Sequence, residues 1–556
     1  MKKGIKEENI LKRVSNDFNY ALKAKTGATI YLDANKAEPT TNLATDTYLK
    51  LLEDFYNGFQ WKTDKEGNAI DITKRIVKPT LNFIKTIIDE RVDIFRKRKI
   101  TIDAHPTTPD IDLAIAIRQL MNYIWKKRKI NIKLAEAYRD ALVYGVGFFK
   151  IVWNDIVQDI DVVPISPFDV YPDPYGLEID QMRYLHIRYR KPREWVEQQF
   201  QTKLIKKEKD EEEKATDPNE DIEIFESWYS PFVFGSPYCV IWTENQILSI
   251  KDVNEITGSD RFPIFSFKTK RKSNSFWGQS LVYNLIDLQI LQNKTLGFIL
   301  DSMLIANNGR IYTTDPNVQL TDDPTELITL TQGEQIGVLS LNAIDPRWFP
   351  LLNYTGYNMA QSLSATYAVN TGGQTNQTTA TGLVAQQNAG NTGVEADIFE
   401  LTYDINDFGQ VFINMIKKLY KKSDFQKIFS TSMKTNQMDV DSLIQQIQDS
   451  EFEVYFDLSD PLPDDKLSRN NLFAGLLAQR VIDLPTYAKL TNNVELINIL
   501  NEQNSGGLQQ LMQAMQGAQG APSQSAAQSA GQGEAQGANA QSAEASINPA
   551  ATGQGI

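Results

Sequence analysis

The chain has 556 residues, of which 41% are hydrophobic and 23% charged, a composition typical of a soluble globular protein with several domains. Its 57 basic and 70 acidic residues give a net charge of −13, which argues against a protein that coats nucleic acid. One cysteine excludes an intrachain disulfide, and two histidines leave almost no capacity for a zinc site or histidine-based catalysis. No apolar run reaches the ~20 residues of a membrane span, and Met1–Gly4 does not resemble a signal peptide. A cytoplasmic-type origin is expected.

The first 144 residues are predicted to be mostly helical, because their apolar residues recur every three or four positions. The helices predicted from this spacing cover residues 5–25, 43–57, 72–95, 110–125 and 131–144. A short strand is expected at 100–102, and Gly145 ends the last helix.

Alternating apolar and polar residues then predict a β-rich region between Gly147 and Lys268. The strands expected there cover residues 148–153, 156–164, 184–190, 223–229, 238–243 and 262–268. Residues 206–221 are so densely charged that we expect a solvated loop or helix tip.

Long helices return in the second half of the chain. Apolar residues predict one helix over 280–307, a rod of roughly 42 Å at about 1.5 Å per residue. The elements expected after it are a β-rich stretch over 310–348, a helix opened by Pro350, a polar loop over 370–393, a helix over 395–422, a strand over 451–458 and two short helices up to about residue 501. Beyond these, the Gln/Ala/Gly-rich residues 503–556 cannot form a large core, so most of them are expected to be disordered.

Charge is distributed unevenly along the chain. Residues 1–300 carry a net charge of +2 and the remainder −15. The 47 residues from Trp348 to Val394, the charge-free segment, contain no Asp, Glu, Lys or Arg. Asn, Gln, Thr, Ser and Gly dominate its second half, so it is not a membrane helix. Solvated loops normally carry charges, and their absence here needs a physical reason.

Enzyme signatures are weak. The chain has no phosphate-binding loop of the Gly-x-x-x-x-Gly-Lys-Ser/Thr type. Residues 145–147 are interpreted as a helix end rather than a dinucleotide turn, and residues 278–280 as a helix N-cap rather than a nucleophile elbow. Cys239 and His186 lie in strand contexts and are expected to be structural. We therefore expect no catalytic residue, no cofactor and no metal ion.

Two kinds of charged group leave alternatives open. The carboxylates near Asp173 could hold a cation, although the Asp-Pro-Tyr-Gly run at 173–176 is also ordinary turn chemistry, which is the favoured interpretation. Three basic clusters could contact phosphate, although charge runs at helix ends are usually solvated, and that interpretation is favoured. The clusters cover residues 96–99, 126–129 and 268–272.

Several short blocks carry a resemblance to a known family. These resemblance blocks are Phe55–Trp61, Lys78–Ile84, Ala141–Phe148, Ile165–Pro174, Phe262–Phe267, Phe276–Val282 and Leu288–Lys294. In this order they resemble the portal proteins of tailed bacteriophages, the head-to-tail connectors, and most of all those of short-tailed phages. The resemblance extends over about residues 50–500.

The resemblance implies an α+β portal fold with a mixed α/β wing, a two-helix stem, a small β-rich clip, a helical crown and a low-complexity C-terminal tail. The implied divisions are 1–279 for the wing, 280–308 for the first stem helix, 309–349 for the clip, 350–369 for the second stem helix, 370–394 for the tunnel loop, 395–449 for the long wing helix, 450–502 for the crown and 503–556 for the tail. The tail lacks heptad regularity, so no helical C-terminal barrel is expected.

A non-enzymatic function is implied by the same resemblance. Portal proteins form rings, generally of twelve subunits, at one capsid vertex. Double-stranded DNA passes through the ring during packaging by the terminase and again during ejection. The implied partners are further copies of the chain, the terminase large subunit, the major capsid protein and scaffold, and a head-completion or tail adaptor, but no membrane. The protein is accordingly expected in the virion and, during assembly, in the host cytoplasm.

The resemblance also implies two sets of site residues. The residues implied to line the DNA channel are Asn370, Gln374, Asn376, Gln377, Gln386 and Gln387 of the tunnel loop, with Lys294 of the first stem helix. Those implied to form the clip surface for terminase and adaptor are Arg310, Tyr312, Asp322, Asp323 and Glu334.

An uncharged lining suits a conduit for DNA. Rings of lysine would bind phosphates tightly, and rings of carboxylate would repel them. Amides exchange hydrogen bonds that are each worth only about 1 kcal/mol net. The charge-free segment coincides with the implied second stem helix and tunnel loop. The alternative explanation for the absence of charge in this segment is that it forms a buried helix followed by a polar loop.

Two other functions stay open at this point. One is a phage head-tail adaptor or shell component through which no DNA passes. The other is a metal-dependent α+β enzyme that uses the carboxylates of Asp169, Asp173 and Asp180.

Overall fold

The computed structural model of the chain divides into two units, residues 1–461 and 462–556. It describes residues 7–26, 45–65, 68–70, 77–97, 100–106, 111–155, 157–205, 219–307, 310–314, 333, 335–339, 349–354, 392–432, 440–457, 473–484 and 487. None of the helices in these ranges has the long apolar run that a membrane span requires. The predicted tail over 503–556 and most of the charge-free segment lie outside the described residues.

The first unit combines helices with antiparallel sheets, so the predicted α+β class is confirmed. Its helices are α1 (Glu7–Thr26), α2 (Thr45–Asn57), α3 (Phe83–Lys97), α4 (Ile111–Lys127), α5 (Ile130–Tyr144), α6 (Arg193–Phe200), α7 (Pro231–Phe234), α8 (Val253–Thr257), α9 (Leu281–Asn307), α10 (Thr392–Leu419), α11 (Lys422–Ser432) and α12 (Val440–Asp449). Its strands are β1 (Thr101–Pro106), β2 (Gly147–Asn154), β3 (Asp159–Ile165), β4 (Val170–Pro172), β5 (Tyr184–Pro192), β6 (Asp221–Tyr229), β7 (Tyr238–Trp242), β8 (Ile247–Asp252), β9 (Ile264–Phe267), β10 (Arg310–Thr313), β11 (Ile336–Leu339) and β12 (Phe452–Asp457).

One predicted helix is wrong over part of its length. The helix expected over 72–95 begins only at Phe83, and residues 77–82 are not helical. Pro79 disfavours a helical residue before it and cannot donate a backbone hydrogen bond. The side-chain oxygen Oδ1 of Asn82 accepts a bond from Lys85 N at 3.2 Å, which caps the first turn of α3. Residues 71–76 lie outside the described part of the chain.

A five-stranded antiparallel sheet has the strand order β4-β5-β6-β7-β8. Helix α1 packs on one face of it, and the Phe18 ring lies 4.5–6.0 Å from the rings of Tyr171, Phe225 and Trp242. Strands β4 and β8 and helices α6, α7, α8, α11 and α12 were not predicted. None of them is longer than 11 residues, and elements this short show too few repeats of the apolar pattern to be predicted from it.

Buried Lys25 joins the end of α1 to the resemblance block at 165–174. Its ammonium donates to the backbone oxygens of Pro167 at 2.8 Å and Phe168 at 2.6 Å, and it pairs with Asp46 at 3.3 Å. Burial lowers the pKa of Lys25 to about 8. The lysine therefore holds α1, α2 and the segment before β4 together.

The largest core lies between α3, α4, α5, α10 and the three-stranded sheet β3-β2-β9. A two-stranded sheet joins residues far apart in the chain, with Thr101 of β1 opposite Asp457 of β12. Helix α10 approaches β12 closely at Gly409, where an added β-carbon would lie 2.1 Å from the Phe456 ring. The largest core is thus complete only with β12 in place.

The β-rich stretch predicted after α9 contains the antiparallel strand pair β10–β11, with Tyr312 opposite Gly337. Its third predicted strand, 327–330, lies outside the described residues. Residues 349–354 are helical, in agreement with a helix opened by Pro350. In the second unit, residues 473–478 are helical.

Candidate functional site

Most of the predicted site residues lie outside the described part of the chain. This holds for Asn370, Gln374, Asn376, Gln377, Gln386, Gln387, Asp322, Asp323 and Glu334. Lys294 lies on α9 and is half-buried, while Arg310 and Tyr312 lie on β10. The roles of all these residues stay predictions, and the described site is therefore built around α9 and α10.

Helix α9 has one side in the core and one side exposed. Its 27 residues give a rod of about 40 Å. The core side packs through Leu285, Ile286 and Ile299. The exposed side carries Leu291 at 43% and Phe298 at 48% exposure, together with the exposed polar residues Asn284, Asp287 and Ser302. Large apolar side chains left exposed on such a side suit contact with another molecule.

The buried side of α9 carries amides that bind an extended segment, residues 77–82, which we call the strap. Gln289 Nε2 donates to the backbone oxygen of Leu81 at 2.6 Å, and Asn293 Oδ1 accepts from Leu81 N at 3.2 Å. At the other end of the strap, Asp301 Oδ1 accepts from Val77 N at 2.9 Å. The strap thus follows α9 over more than three turns.

The same hydrogen-bond network continues to the loop after α2. Asn293 Nδ2 donates to Gln60 Oε1 at 2.7 Å, and Gln60 Nε2 donates to Asn82 Oδ1 at 3.0 Å. Gln60 is itself buried and also donates to Phe55 O at 2.9 Å. Three resemblance blocks, 55–61, 78–84 and 288–294, therefore meet in one network. Buried Asn and Gln at positions where an apolar residue is expected were the sequence signal for this network, and it was missed.

Two further blocks meet where α9 begins. Ser280 Oγ accepts from Tyr283 N at 3.3 Å, which confirms the predicted N-cap, and donates to Val143 O at 2.5 Å. Gly145 ends α5 at a φ of 90°, which confirms the predicted helix end. Its backbone lies so close to Gly278 that a β-carbon on Gly145 would be 2.4 Å from Gly278 O. The start of α9 is thus held rigidly against the end of α5.

Helix α10 is held to the core by a buried ion pair. Asp397 Oδ2 accepts from Arg91 Nη1 at 2.9 Å and from the Tyr138 hydroxyl at 3.0 Å. Burial raises the pKa of Asp397, although both partners favour its ionised form. Removing one partner from such a pair leaves an uncompensated buried charge.

A second cluster joins α10 to the segment before β5. Arg271 pairs with Glu178 and, at 3.2 Å, with Asp404 of α10. Lys268 is buried and pairs with Glu178 at 2.9 Å. Burial raises the pKa of Asp404 to about 7 despite the neighbouring Arg271. The interpretation of residues 268–272 as a solvated charge run is therefore wrong for Lys268, whose ammonium lies over the Phe276 ring.

The other two basic clusters differ from each other in how far their cations are buried in ion pairs. Lys127 and Arg128 both pair with the buried carboxylate of Asp159, at 2.8 Å and 2.5 Å. Arg96 pairs with Asp93 on an exposed helix surface, in agreement with a solvated helix end. At least one described cation of each cluster thus pairs with a carboxylate of the same chain.

Exposed aromatic residues mark the outer side of α10. Phe399 and Tyr403 are 63% and 60% exposed and contact each other edge to face, with ring centroids 5.5 Å apart. They lie one turn apart on the same side of the helix. Together with the exposed side of α9, they give this unit two surfaces with exposed apolar side chains, of the kind that protein partners cover.

Two of the three carboxylates considered for a cation site, Asp169 and Asp173, pair with arginines. Asp173 accepts from Arg183 Nε at 2.6 Å and Nη2 at 2.7 Å, and Asp169 pairs with Arg188 at 3.3 Å. Burial would raise the pKa of Asp173, but the Arg183 bonds outweigh it and the pKa is lowered. Gly176 N donates to Asp173 O at 3.1 Å, which confirms the predicted turn. Within the described ranges, no three His, Cys, Asp or Glu side chains are grouped as metal ligands would be.

Cys239 and His186 are buried, as predicted for structural residues. The His186 Nδ1 atom is hydrogen-bonded to Ser227 Oγ at 2.7 Å, and this hydroxyl oxygen accepts from Trp242 Nε1 at 2.8 Å. Burial lowers the pKa of His186 to about 3, so the ring is neutral.

Comparisons with known proteins agree with the blocks found in the sequence. The chain matches the phage P22-like portal protein family over residues 48–233 and the phage SU10 portal protein family over residues 180–397. No curated protein matches the chain. The two matches overlap and together span more than half of the chain, including α9 and the strap. The two matches, one to the P22-like and one to the SU10 family, therefore place the chain among the phage portal proteins, the head-to-tail connectors of bacteriophages.

Proposed function

We propose that copies of this chain assemble into a closed ring at one vertex of the capsid, with twelve as the expected number. Double-stranded DNA passes through the central channel during packaging by the terminase and again during ejection. The observation that carries the proposal is the exposed side of α9, whose large apolar side chains a single copy leaves uncovered. A heterologous contact that closes by rotation covers such a surface on every copy.

Within this proposal the chain acts as a scaffold and not as an enzyme. Helix α9 serves as the first stem helix, and the strand pair β10–β11 belongs to the clip. Of the tunnel loop predicted over 370–394, residues 392–394 belong to α10, so the residues before Thr392 form the loop. The clip, through Arg310, Tyr312, Asp322, Asp323 and Glu334, binds the terminase large subunit and later a head-completion or tail adaptor. The wing contacts the major capsid protein and scaffold.

The proposed lining of the channel is the charge-free segment. Amides such as Asn370, Gln374, Asn376, Gln377, Gln386 and Gln387 exchange hydrogen bonds with passing phosphates without holding them. Lys294 is the one cation that we assign to the channel, as a weak guide for phosphates.

Replacing Phe298 by aspartate is expected to prevent ring formation. The substitution places a charge in the centre of the exposed side of α9, where desolvating it in a contact costs several kcal/mol. Native mass spectrometry and negative-stain images of the purified chain measure the outcome. Phe232→Asp is the matched control, because Phe232 is 87% exposed on α7, away from α9, and should leave the ring intact.

Rings from Phe298→Asp as abundant as those of the unmodified chain would exclude this side of α9 as the contact. An unmodified chain that stays a single copy at every concentration, even beside its capsid partners, would overturn the proposal as a whole.

Deleting residues 371–393 separates a DNA channel from an adaptor without DNA passage. A portal that lacks this segment should still form rings, but the capsids should hold at least tenfold less DNA, measured by quantitative PCR after nuclease treatment. Deleting 520–542 removes the same number of residues from the Gln/Ala/Gly-rich tail and serves as control. Normal DNA content after the first deletion would favour the adaptor.

A further inference from the structure

We propose that the strap sets the orientation of α9 and thereby the number of copies on which the ring closes. This inference rests on the proposed ring assembly. It concerns the polar network between residues 77–82 and α9, in which Gln289 and Asn293 act as positioning residues rather than as contacts to a partner.

The strap restricts both movements that α9 could make against the core. Its bonds run from Gln289 to Asp301, a distance of about 18 Å along the helix. Bonds at two separated points oppose sliding along the axis as well as rotation about it. Gly297 lies between them, and a β-carbon there would be 3.4 Å from Val77 O, so the strap lies directly on the helix.

The bonds of Gln289 and Asn293 to the strap and to Gln60 are made in one arrangement of α9. Gln289 is 0% exposed and Asn293 1% exposed, so neither can exchange its partners for water. A shift of α9 by one residue would break the bonds to Leu81 and Gln60, and each buried polar group left unpaired costs about 1–3 kcal/mol. Apolar packing alone would discriminate less between positions of α9 that are shifted by one residue. Buried amides can therefore specify the register of a helix against its partner.

Gln289 contributes more to position than to stability. Its Oε1 atom is buried and has no hydrogen-bond partner among the described residues. An apolar side chain of similar size would avoid that cost. The amide therefore stabilises the core little, and its donor group, which reaches both Leu81 O and Asn293 Oδ1, is the part that matters here.

The orientation of α9 determines the number of copies in the ring because the ring repeats the same contact between neighbouring copies. Each copy is rotated by about 30° in a ring of twelve and by about 28° in a ring of thirteen. The exposed side of α9 belongs to the contact, while the strap fixes that side relative to the rest of the chain. A change of a few degrees is therefore enough to alter the number of copies.

The test replaces Gln289 by methionine, which keeps the volume and removes the donor. We expect folded protein that closes into a mixture of at least two ring sizes, whereas the unmodified chain gives one, measured by native mass spectrometry and counted in class averages. Gln246→Met is the matched control. Gln246 is also buried and bonds main-chain atoms of Ile205 and Lys203, but it lies in the five-stranded sheet region, away from α9.

A milder second variant, Asn82→Ser, keeps an oxygen that can cap α3, removes the Nδ2 donor to Tyr56 O and withdraws the acceptor from Gln60 Nε2 because the serine side chain is shorter. It should also give more than one ring size, with a smaller share of the altered size. If the methionine variant does not fold, this variant provides the test. Rings of one unchanged size from the folded variants would overturn the inference and leave the proposed function standing. An unmodified chain that forms no ring would overturn both.

Discussion

Replacing Gly278 by alanine is expected to destabilise the first unit by at least about 3 kcal/mol, so that little folded protein accumulates. The new β-carbon would lie 2.1 Å from Gly145 O and 2.9 Å from Lys270 O. Both are backbone oxygens, which cannot rotate away as a side chain can. The end of α5 and the start of α9 would have to separate, and the Ser280 bond to Val143 O would be lost with them.

Urea unfolding followed by circular dichroism measures this effect, and Gly297→Ala is the control. Gly297 lies on α9, the helix that Gly278 precedes, but its nearest neighbour to an added β-carbon is at 3.4 Å, an ordinary contact. Alanine there also favours the helix, so the change should stay within about 1 kcal/mol. An unchanged unfolding midpoint for Gly278→Ala would show that the two backbones can move apart.

The second large effect is a loss of stability in acid that depends on His186. The pKa of His186 is lowered to about 3 in the folded chain by burial, whereas an unfolded histidine titrates near 6.5. The unfolded chain therefore binds the proton first as the pH falls. The stabilising contribution is fully present above pH 6.5 and is lost between pH 6.5 and about 3.

At pH 4.5 this histidine alone should cost about 2–3 kcal/mol of the free energy of unfolding, from about 1.4 kcal/mol per pH unit. His186→Asn removes the titration while keeping an oxygen that can accept from the Ser227 hydroxyl. Because many carboxylates titrate in the same range, the measured quantity is the difference between the two proteins in urea unfolding at pH 7.5 and 4.5. The variant should lose less stability than the unmodified chain. Equal losses would show that His186 is protonated without unfolding.

Both effects arise in regions whose local structure was predictable. The end of α5 at Gly145, the cap at Ser280 and the turn at Asp173 each follow from short-range rules, and each is confirmed. The long helix α9 was also predicted, because an apolar pattern over many turns outweighs local ambiguity. The resemblance blocks, read in order, indicated the family that the comparisons support.

What the sequence determined by itself is therefore local: the longer helices, most of the strands, the charge-free segment and the order of the blocks. Tertiary structure alone decided which of these meet. It brings Gly145 against Gly278, pairs β1 with β12, buries Lys268 inside an apparent surface charge run and lays the strap along α9. The physical reason is that a periodic pattern encodes which side of an element is apolar, but not the partner that covers it. The role of a buried amide such as Gln289, or of a lysine such as Lys268, depends on partners that are 208 and 90 positions away in the chain.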